Sequence, residues 1–255
     1  MSDPVRLERG ERMATITIDR PPLNILDIPT ITALDAALRE LESDPILQLV
    51  VVRGAGEKAF SAGVSVADHT PEKVAPMLRA FHAALHRLWA LEATTLAVVH
   101  GHCLGGGMEL AMVCDLVLAS DDAKFAQPEI QLACYPPVAA ALYPAAIGAR
   151  RASEMLLTGR PYSAAEAERL GLVNWLVPRA ELDTKLAAVT KDLLSRSAAV
   201  ARLTKRALRA GETQAFPAAL AAAERIYLEE LAATADMNEG IAAFLAKRPA
   251  AWKHR

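Results

Sequence analysis

Short β-rich runs recur through the first half of the chain, and each gives way to helix-like sequence or to a glycine-rich turn. The runs are MATITI (13–18), ILQLVVVR (46–53), TTLAVVH (94–100) and DLVLAS (115–120). Between them, PTITALDAALRELES (29–43) and PEKVAPMLRAFHAALHRLWALE (71–92) space apolar residues by three and four, as an amphipathic helix does. This alternation predicts an α/β fold with buried, mostly parallel strands. After about residue 180 the strand signals stop and the chain turns into alanine- and leucine-rich helical sequence. That stretch reads as a helical appendage, apolar enough to suggest burial against another subunit.

With 255 residues and 53% hydrophobic content, the chain can build a sizeable core as one large domain or two small ones. The charge balance narrows the partners. A formal net charge of -2, from 28 basic and 30 acidic residues, gives no reason to expect nucleic acid or an anionic membrane. The basic cluster RLTKRALR (202–209) reads as the solvated face of a helix. Cys103, Cys114 and Cys134 form no CxxC pair and are odd in number, so they suit neither a disulfide framework nor a zinc ribbon. A reducing cytoplasm is the expected setting. The N-terminal MSDPVRLERGERM has no apolar signal core, and no apolar run approaches the ~20 residues of a membrane span.

The stretch that asks for a chemical explanation is GHCLGGGMEL (101–110), which sets Gly101, Gly105, Gly106 and Gly107 ahead of Glu109 in an apolar region. It fits neither G-x-G-x-x-G nor G-x-x-x-x-G-K-[ST], so a nucleotide loop is a poor reading. The chain has no G-x-S-x-G elbow for a serine hydrolase, and AGVSV around Ser65 is not one. His82 and His86 are four apart but lack the glutamate of H-E-x-x-H, and they read as packing or surface residues. A helix starting near Gly106 would aim free N–H groups at a ligand and stabilise an oxyanion. From the glycines alone, a tight strand-to-helix crossing explains them equally well.

Glu109 tips that balance, because an ionised glutamate is rarely buried without a partner. A second carboxylate, Glu129, lies in FAQPEIQL, again among apolar residues. Two such carboxyls can be tuned apart, one as base and one as acid. A salt bridge to Arg150 or Arg151 would account for either taken singly. FSAGV (60–64) adds small residues suited to close backbone approach and a second N–H donor for an oxyanion.

With RPPLNIL (20–26), FSAGV (60–64), GHCLGGGMELAMVCDLVLAS (101–120), FAQPEIQL (125–132), LLTGRPYSAAEAERLGLVNWLV (156–177) and FLAKRPAAW (244–252), the whole chain resembles the crotonase, or enoyl-CoA hydratase/isomerase, superfamily. The resemblance implies a spiral of ββα repeats over residues 1–190 that carries the active site. It also implies a C-terminal helical region, 191–255, that assembles a homotrimer or a hexamer. The implied substrate is a coenzyme A thioester, with no metal and no further cofactor. By position, the oxyanion hole would be the N–H groups of Val64 and Gly106, and the acid–base pair Glu109 and Glu129. Leu23, Ala62 and Ser65 would line the coenzyme A path, and Lys247 would meet its phosphates across a subunit boundary.

Two departures set this chain apart from the ordinary fatty-acid hydratase pattern. ACYPPVAAALYPAAIG follows Glu129 where a glycine-rich run is usual, and Ser65 stands where an aspartate is common. SAGVSVADHTPEKV and YPPVAAAL are similar to the cyclohexa-1,5-diene-1-carbonyl-CoA hydratases, in which water adds to a cyclic dienoyl thioester. Pro136 and Pro137 are then expected to build a stiff apolar wall. Hydratases of other 2-enoyl-CoA thioesters, double-bond isomerases and non-catalytic or RNA-binding relatives are the alternatives. The presence of both glutamates favours hydration.

Overall fold

A computed structural model describes residues 3–212 and 216–251. Trp252, the last residue of the FLAKRPAAW motif, lies outside the described residues. The chain opens with β1 (Val5–Arg9), β2 (Met13–Ile18) and α1 (Ile28–Glu42), then β3 (Leu49–Gly54), β4 (Ala59–Ser61) and α2 (Val74–Ala90). Next come β5 (Thr94–Val99), β6 (His102–Leu104) and α3 (Gly106–Val113), followed by β7 (Leu116–Ser120), β8 (Lys124–Ala126) and α4 (Pro137–Ile147). The remainder is α5 (Ala149–Thr158), β9 (Tyr162–Ser163), α6 (Ala164–Arg169), β10 (Trp175–Val177), α7 (Leu182–Leu194), α8 (Ala198–Glu212), α9 (Phe216–Glu229) and α10 (Ala235–Leu245).

The expected α/β class holds, and its repeat is visible in the pairing. β1-β2-β3-β5-β7-β10 form one sheet and β4-β6-β8-β9 another. Three successive turns of chain each give one strand to the large sheet, one to the small sheet, and then a helix: β3-β4-α2, β5-β6-α3 and β7-β8-α4. Strands β2, β3, β5, β7 and β10 run parallel, and β1 closes the edge antiparallel. A parallel sheet requires cover on both faces, and their residues show it. Val50, Val52, Ala97 and Val99 pack with α1 and α2, while Leu49, Val51, Leu96 and Leu118 pack with Leu182 and Val189 of α7. α1 starts where the Asp27 side chain accepts from the Thr30 N–H at 3.1 Å.

The small sheet was not anticipated from the sequence. Its strands are two or three residues long, too short for any alternation to register. The expected boundary at residue 190 falls inside α7, and the C-terminal helices are more than an appendage. α9 packs against α4 and buries Leu220 and Tyr227 in the main core. Among the described residues no helix is long and apolar enough to cross a membrane.

The reading of RLTKRALR as a solvated face is corrected by α8. Lys205 is 9% exposed, with Nζ 2.7 Å from Asp115 Oδ2 and 2.8 Å from the Ala93 carbonyl. Arg209 reaches Asp115 Oδ1 at 2.7 Å and stacks over the Trp89 ring. Asp115 also accepts from the Thr95 N–H at 2.8 Å, so one carboxylate ties α8 to β5 and to the start of β7. Sequence proximity of basic residues could not reveal this, because their partner lies some ninety positions away. Removing it strands a buried ammonium group, so Asp115→Ala should cost about 3–5 kcal/mol of folding stability, read from urea unfolding. A loss within about 0.5 kcal/mol, typical of surface changes, would sink the anchoring role.

Candidate active site

Of the glycines singled out from the sequence, Gly101 precedes β6 and Gly105 to Gly107 carry the chain from β6 into α3, where Gly105 and Gly106 shape the site. Gly105, the residue before α3, has φ 51° and ψ −129°, a conformation that side chains resist. A methyl group there would also lie 2.5 Å from Glu129 Oε1. A methyl group on Gly106 would lie 2.6 Å from Val64 Cγ2 and 3.3 Å from Val64 N. The two loops therefore touch through backbone, and the amides of Val64 and Gly106 stand beside one another in the wall of a cavity of about 90 Å³. Among the described residues neither amide donates to a carbonyl. Gly106 opens a helix, so its N–H is one of the orphan donors at the positive end of the α3 dipole.

Val64 is held in place by the segment from Leu23 to Leu26. Ala62 N–H donates to the Leu23 carbonyl at 2.9 Å, Leu26 N–H to Gly63 at 2.9 Å, and Ser65 N–H to Leu26 at 3.1 Å. Asn24, fully buried, braces both sides: its Nδ2 donates to the carbonyls of Ala55 and Ala59, and its own carbonyl accepts from Ser61 Oγ at 2.7 Å. Asn24 was missed from the sequence as an individual residue. Its signal was available: a polar residue in a prolyl turn, RPPLN, ahead of an apolar pair.

Both glutamates face this cavity. Glu109 projects from the first turn of α3, and its Oε1 accepts from the Ala139 N–H at 2.9 Å. That donor belongs to the first turn of α4, with Pro137 and Val138 just ahead of it. From the sequence, Pro136 and Pro137 are expected here only as a stiff apolar wall, with no helix. The structure shows a helix instead, because proline is well suited to a helix's first position, where no N–H is needed. Pro136 and Pro137 do line the cavity, as expected, and the helix they start points its free N–H groups at Glu109.

Among the described residues no arginine pairs with either glutamate. Arg151 pairs with Glu154 at 3.3 Å, and the Glu109 carboxyl is bonded by backbone amides alone. Burial pushes the Glu109 pKa up to about 7, against the pull of the Ala139 and Val138 N–H groups. Glu129 sits in a short 3-10 turn, Pro128–Leu132, with its Oε2 enclosed and unpartnered. Burial first, and then the charge of Glu109, raise its pKa well above the ordinary carboxylate range. Two desolvated carboxyls that repel one another cannot both ionise cheaply, and the amide donors favour Glu109 as the one that does.

The ββα architecture agrees with what the chain is similar to. It matches the family described as "Enoyl-CoA hydratase/isomerase" over residues 8–255. The chain belongs to the enoyl-CoA hydratase/isomerase family. It is 38% identical to a probable enoyl-CoA hydratase of Mycobacterium bovis over 257 residues, covering 98% of each chain. It is 36% identical to the cyclohexa-1,5-dienecarbonyl-CoA hydratase of Thauera aromatica over 251 residues, covering 98% of this chain and 96% of that one. The crystal structure of an enoyl-CoA hydratase from Mycobacterium avium subsp. paratuberculosis superposes with a TM-score of 0.88 at 30% identity, covering 98% of each.

Other residues expected of an enoyl-CoA hydratase/isomerase site are placed unevenly. Ala62 lines the cavity, and Leu23 and Ser65 lie alongside it through the backbone bonds given above. Lys247 is exposed at the end of α10 and does not line the cavity. The structure also adds residues that were not foreseen. Tyr143 is fully buried, with its hydroxyl accepting from Gln127 Nε2 at 2.7 Å, and burial together with Glu109 keeps it protonated. Tyr227 reaches the cavity from α9, so the wall draws on the region beyond residue 190.

Raised carboxyl pKa values have a cost in stability. Unfolded, Glu109 titrates near 4.5; folded, near 7. The folded chain therefore holds an extra proton between those values, and the stability it represents is complete below 4.5 and lost as pH rises through 7. Glu109→Gln should accordingly be more stable than the parent at pH 8, with the gap closing at pH 5, by urea unfolding at both pH values. An equal gap at both would show that Glu109 is not desolvated.

Proposed function

We propose that the protein is a hydro-lyase that adds water to the carbon–carbon double bond of an unsaturated acyl-CoA thioester. The observation that carries this is the shared cavity of Glu109, Glu129 and the unbonded amides of Val64 and Gly106. The thioester carbonyl oxygen accepts from both amides, and charge that develops there as an enolate meets preorganised donors and the positive end of α3. Glu109, the carboxyl held ionised by the α4 amides, takes a proton from water. The water oxygen bonds to the β-carbon, the electron pair of the double bond moves towards the thioester, and Glu129 delivers its proton to the carbon skeleton. Transfer of the proton from Glu109 to Glu129 restores the starting state.

Coenzyme A would run along the backbone of Leu23, Ala62 and Ser65. Lys247, too exposed to serve the cavity from its own chain, would meet the phosphates across a subunit boundary. Trimers or hexamers are supported by apolar side chains left exposed, Leu203 and Leu208 on α8, Leu157 on α5 and Phe244 on α10. At the level of the acyl group, the likeness to the Thauera aromatica protein and the wall of Pro136 and Pro137 support a cyclic dienoyl thioester, hydrated by 1,4-addition to 6-hydroxycyclohex-1-ene-1-carbonyl-CoA.

Glu109→Gln and Glu129→Gln should each lower kcat by about a hundredfold or more while changing KM little. Parent kcat/KM should rise with pH through about 7 as Glu109 ionises, then fall at higher pH as Glu129 loses its proton. Near-normal turnover in either variant would refute the two-carboxylate assignment. Comparison of kcat/KM for crotonyl-CoA and cyclohexa-1,5-diene-1-carbonyl-CoA decides the acyl group. A preference for the cyclic thioester supports the finer reading, and a preference for crotonyl-CoA supports a general 2-enoyl-CoA hydratase.

A further inference from the structure

Among the polar groups that line the cavity and that the hydration steps leave unused, His82 and Tyr227 carry enclosed atoms with no hydrogen-bond partner among the described residues. His82, on α2, is 3% exposed, and Tyr227, on α9, is 1% exposed. His82 Nδ1 lies 3.2 Å from Glu224 Oε2, which projects from α9 three residues before Tyr227. Its Nε2 is enclosed and has no hydrogen-bond partner among the described residues. The Tyr227 hydroxyl is likewise enclosed and unpartnered, with only the Cys134 thiol beside it, a weak acceptor. Unpaired polar atoms are costly in an apolar pocket, and here two of them occur on facing elements of one cavity.

Their hydrogen-bonding roles follow from their neighbours. Beside the Glu224 carboxylate, the ring proton of His82 belongs on Nδ1, where it donates. Burial favours the neutral imidazole, against the pull of Glu224, so Nε2 presents a lone pair. Burial also keeps the Tyr227 hydroxyl protonated, and it is free to donate. One group needs a donor and the other an acceptor. A hydroxyl supplies both, whereas a ketone supplies only an acceptor and a hydrocarbon neither. The charges bearing on His82 are those of Glu224 and His86, while Glu129 bears on Tyr227 as well as on Tyr143. His82 and Tyr227 enter the cavity from α2 and α9, whereas Glu109 enters it from α3.

We propose that this site selects acyl-CoA thioesters carrying a hydroxyl beyond the reacting double bond, bound by His82 Nε2 and Tyr227 Oη. The proposal rests on the acyl-CoA reading of the cavity and on its general 2-enoyl-CoA form, since the cyclic dienoyl ring carries no hydroxyl. Glu224 acts through His82 as a positioning residue, fixing the ring's tautomer.

The test compares hex-2-enoyl-CoA with its 4-, 5- and 6-hydroxy derivatives by kcat/KM. A parallel series, hexanoyl-CoA and its hydroxy derivatives, is measured by calorimetry so that affinity is read without turnover. One hydroxylated member should exceed the unsubstituted thioester by about tenfold in both series. His82→Leu and Tyr227→Phe should each bring that ratio towards one, and Glu224→Gln should lower it in part. Tyr227→Phe removes a single oxygen, so it remains informative if His82→Leu fails to fold. Ratios within twofold of one across the wild-type series, or a preference that survives in both variants, would overturn the proposal. Thioesters bound and hydrated without preference would leave the hydratase reading intact, whereas no binding of any coenzyme A thioester would remove both.

Discussion

The meeting of Gly105 and Gly106 with Val64 and Glu129 is the contact on which the rest of the site depends. Backbone from two loops comes within the radius of a methyl group, and only glycine permits the approach. The approach fixes several things at once. It sets two amides side by side, starts α3 so that Glu109 faces inward, and seats the Glu129 carboxyl against the turn. No side chain in this arrangement can be enlarged without moving a peptide that another part of the site relies on.

Around that contact, the two carboxyls are made unequal by what surrounds them rather than by what they are. Both are removed from water, and both have raised pKa values. Glu109 is given two amide donors, from the first turn of α4, where Glu129 has its own backbone amide, and the α4 donors arrive because Pro137 begins a helix at that point. A helix N-terminus is a source of positive potential that needs no cation, so the site can hold a carboxylate without an arginine to quench its basicity. The difference favours the proton on Glu129 and the charge on Glu109.

The elements that position these groups were visible in the sequence to different depths. Strand β2 and helices α1 and α2 follow directly from spacing, since each is long and periodic. The small sheet does not, because two- and three-residue strands carry no period. The helix at Pro137 is not legible in the sequence, where the prolines give only a stiff wall: its run of alanines has no polar face, and a proline pair suggests a turn before it suggests a helix start. Lys205 and Arg209 were read as solvated for a related reason. A charge on a helix is assigned to water unless its partner is known, and Asp115 is far away in the chain.

What the sequence determined by itself is the alternating α/β order, the demand for close backbone approach at the LGGG crossing of 104–107, and the two carboxylates stranded among apolar residues. Those are local facts, carried by period, conformation and composition. Only the tertiary structure decided that Val64 faces Gly106, that Glu109 is bonded by α4 rather than by an arginine, and that His82 and Tyr227 share the cavity with unpaired polar atoms. Desolvation and charge coupling depend on distances between segments that fold together from remote positions. No spacing along one strand or helix records them.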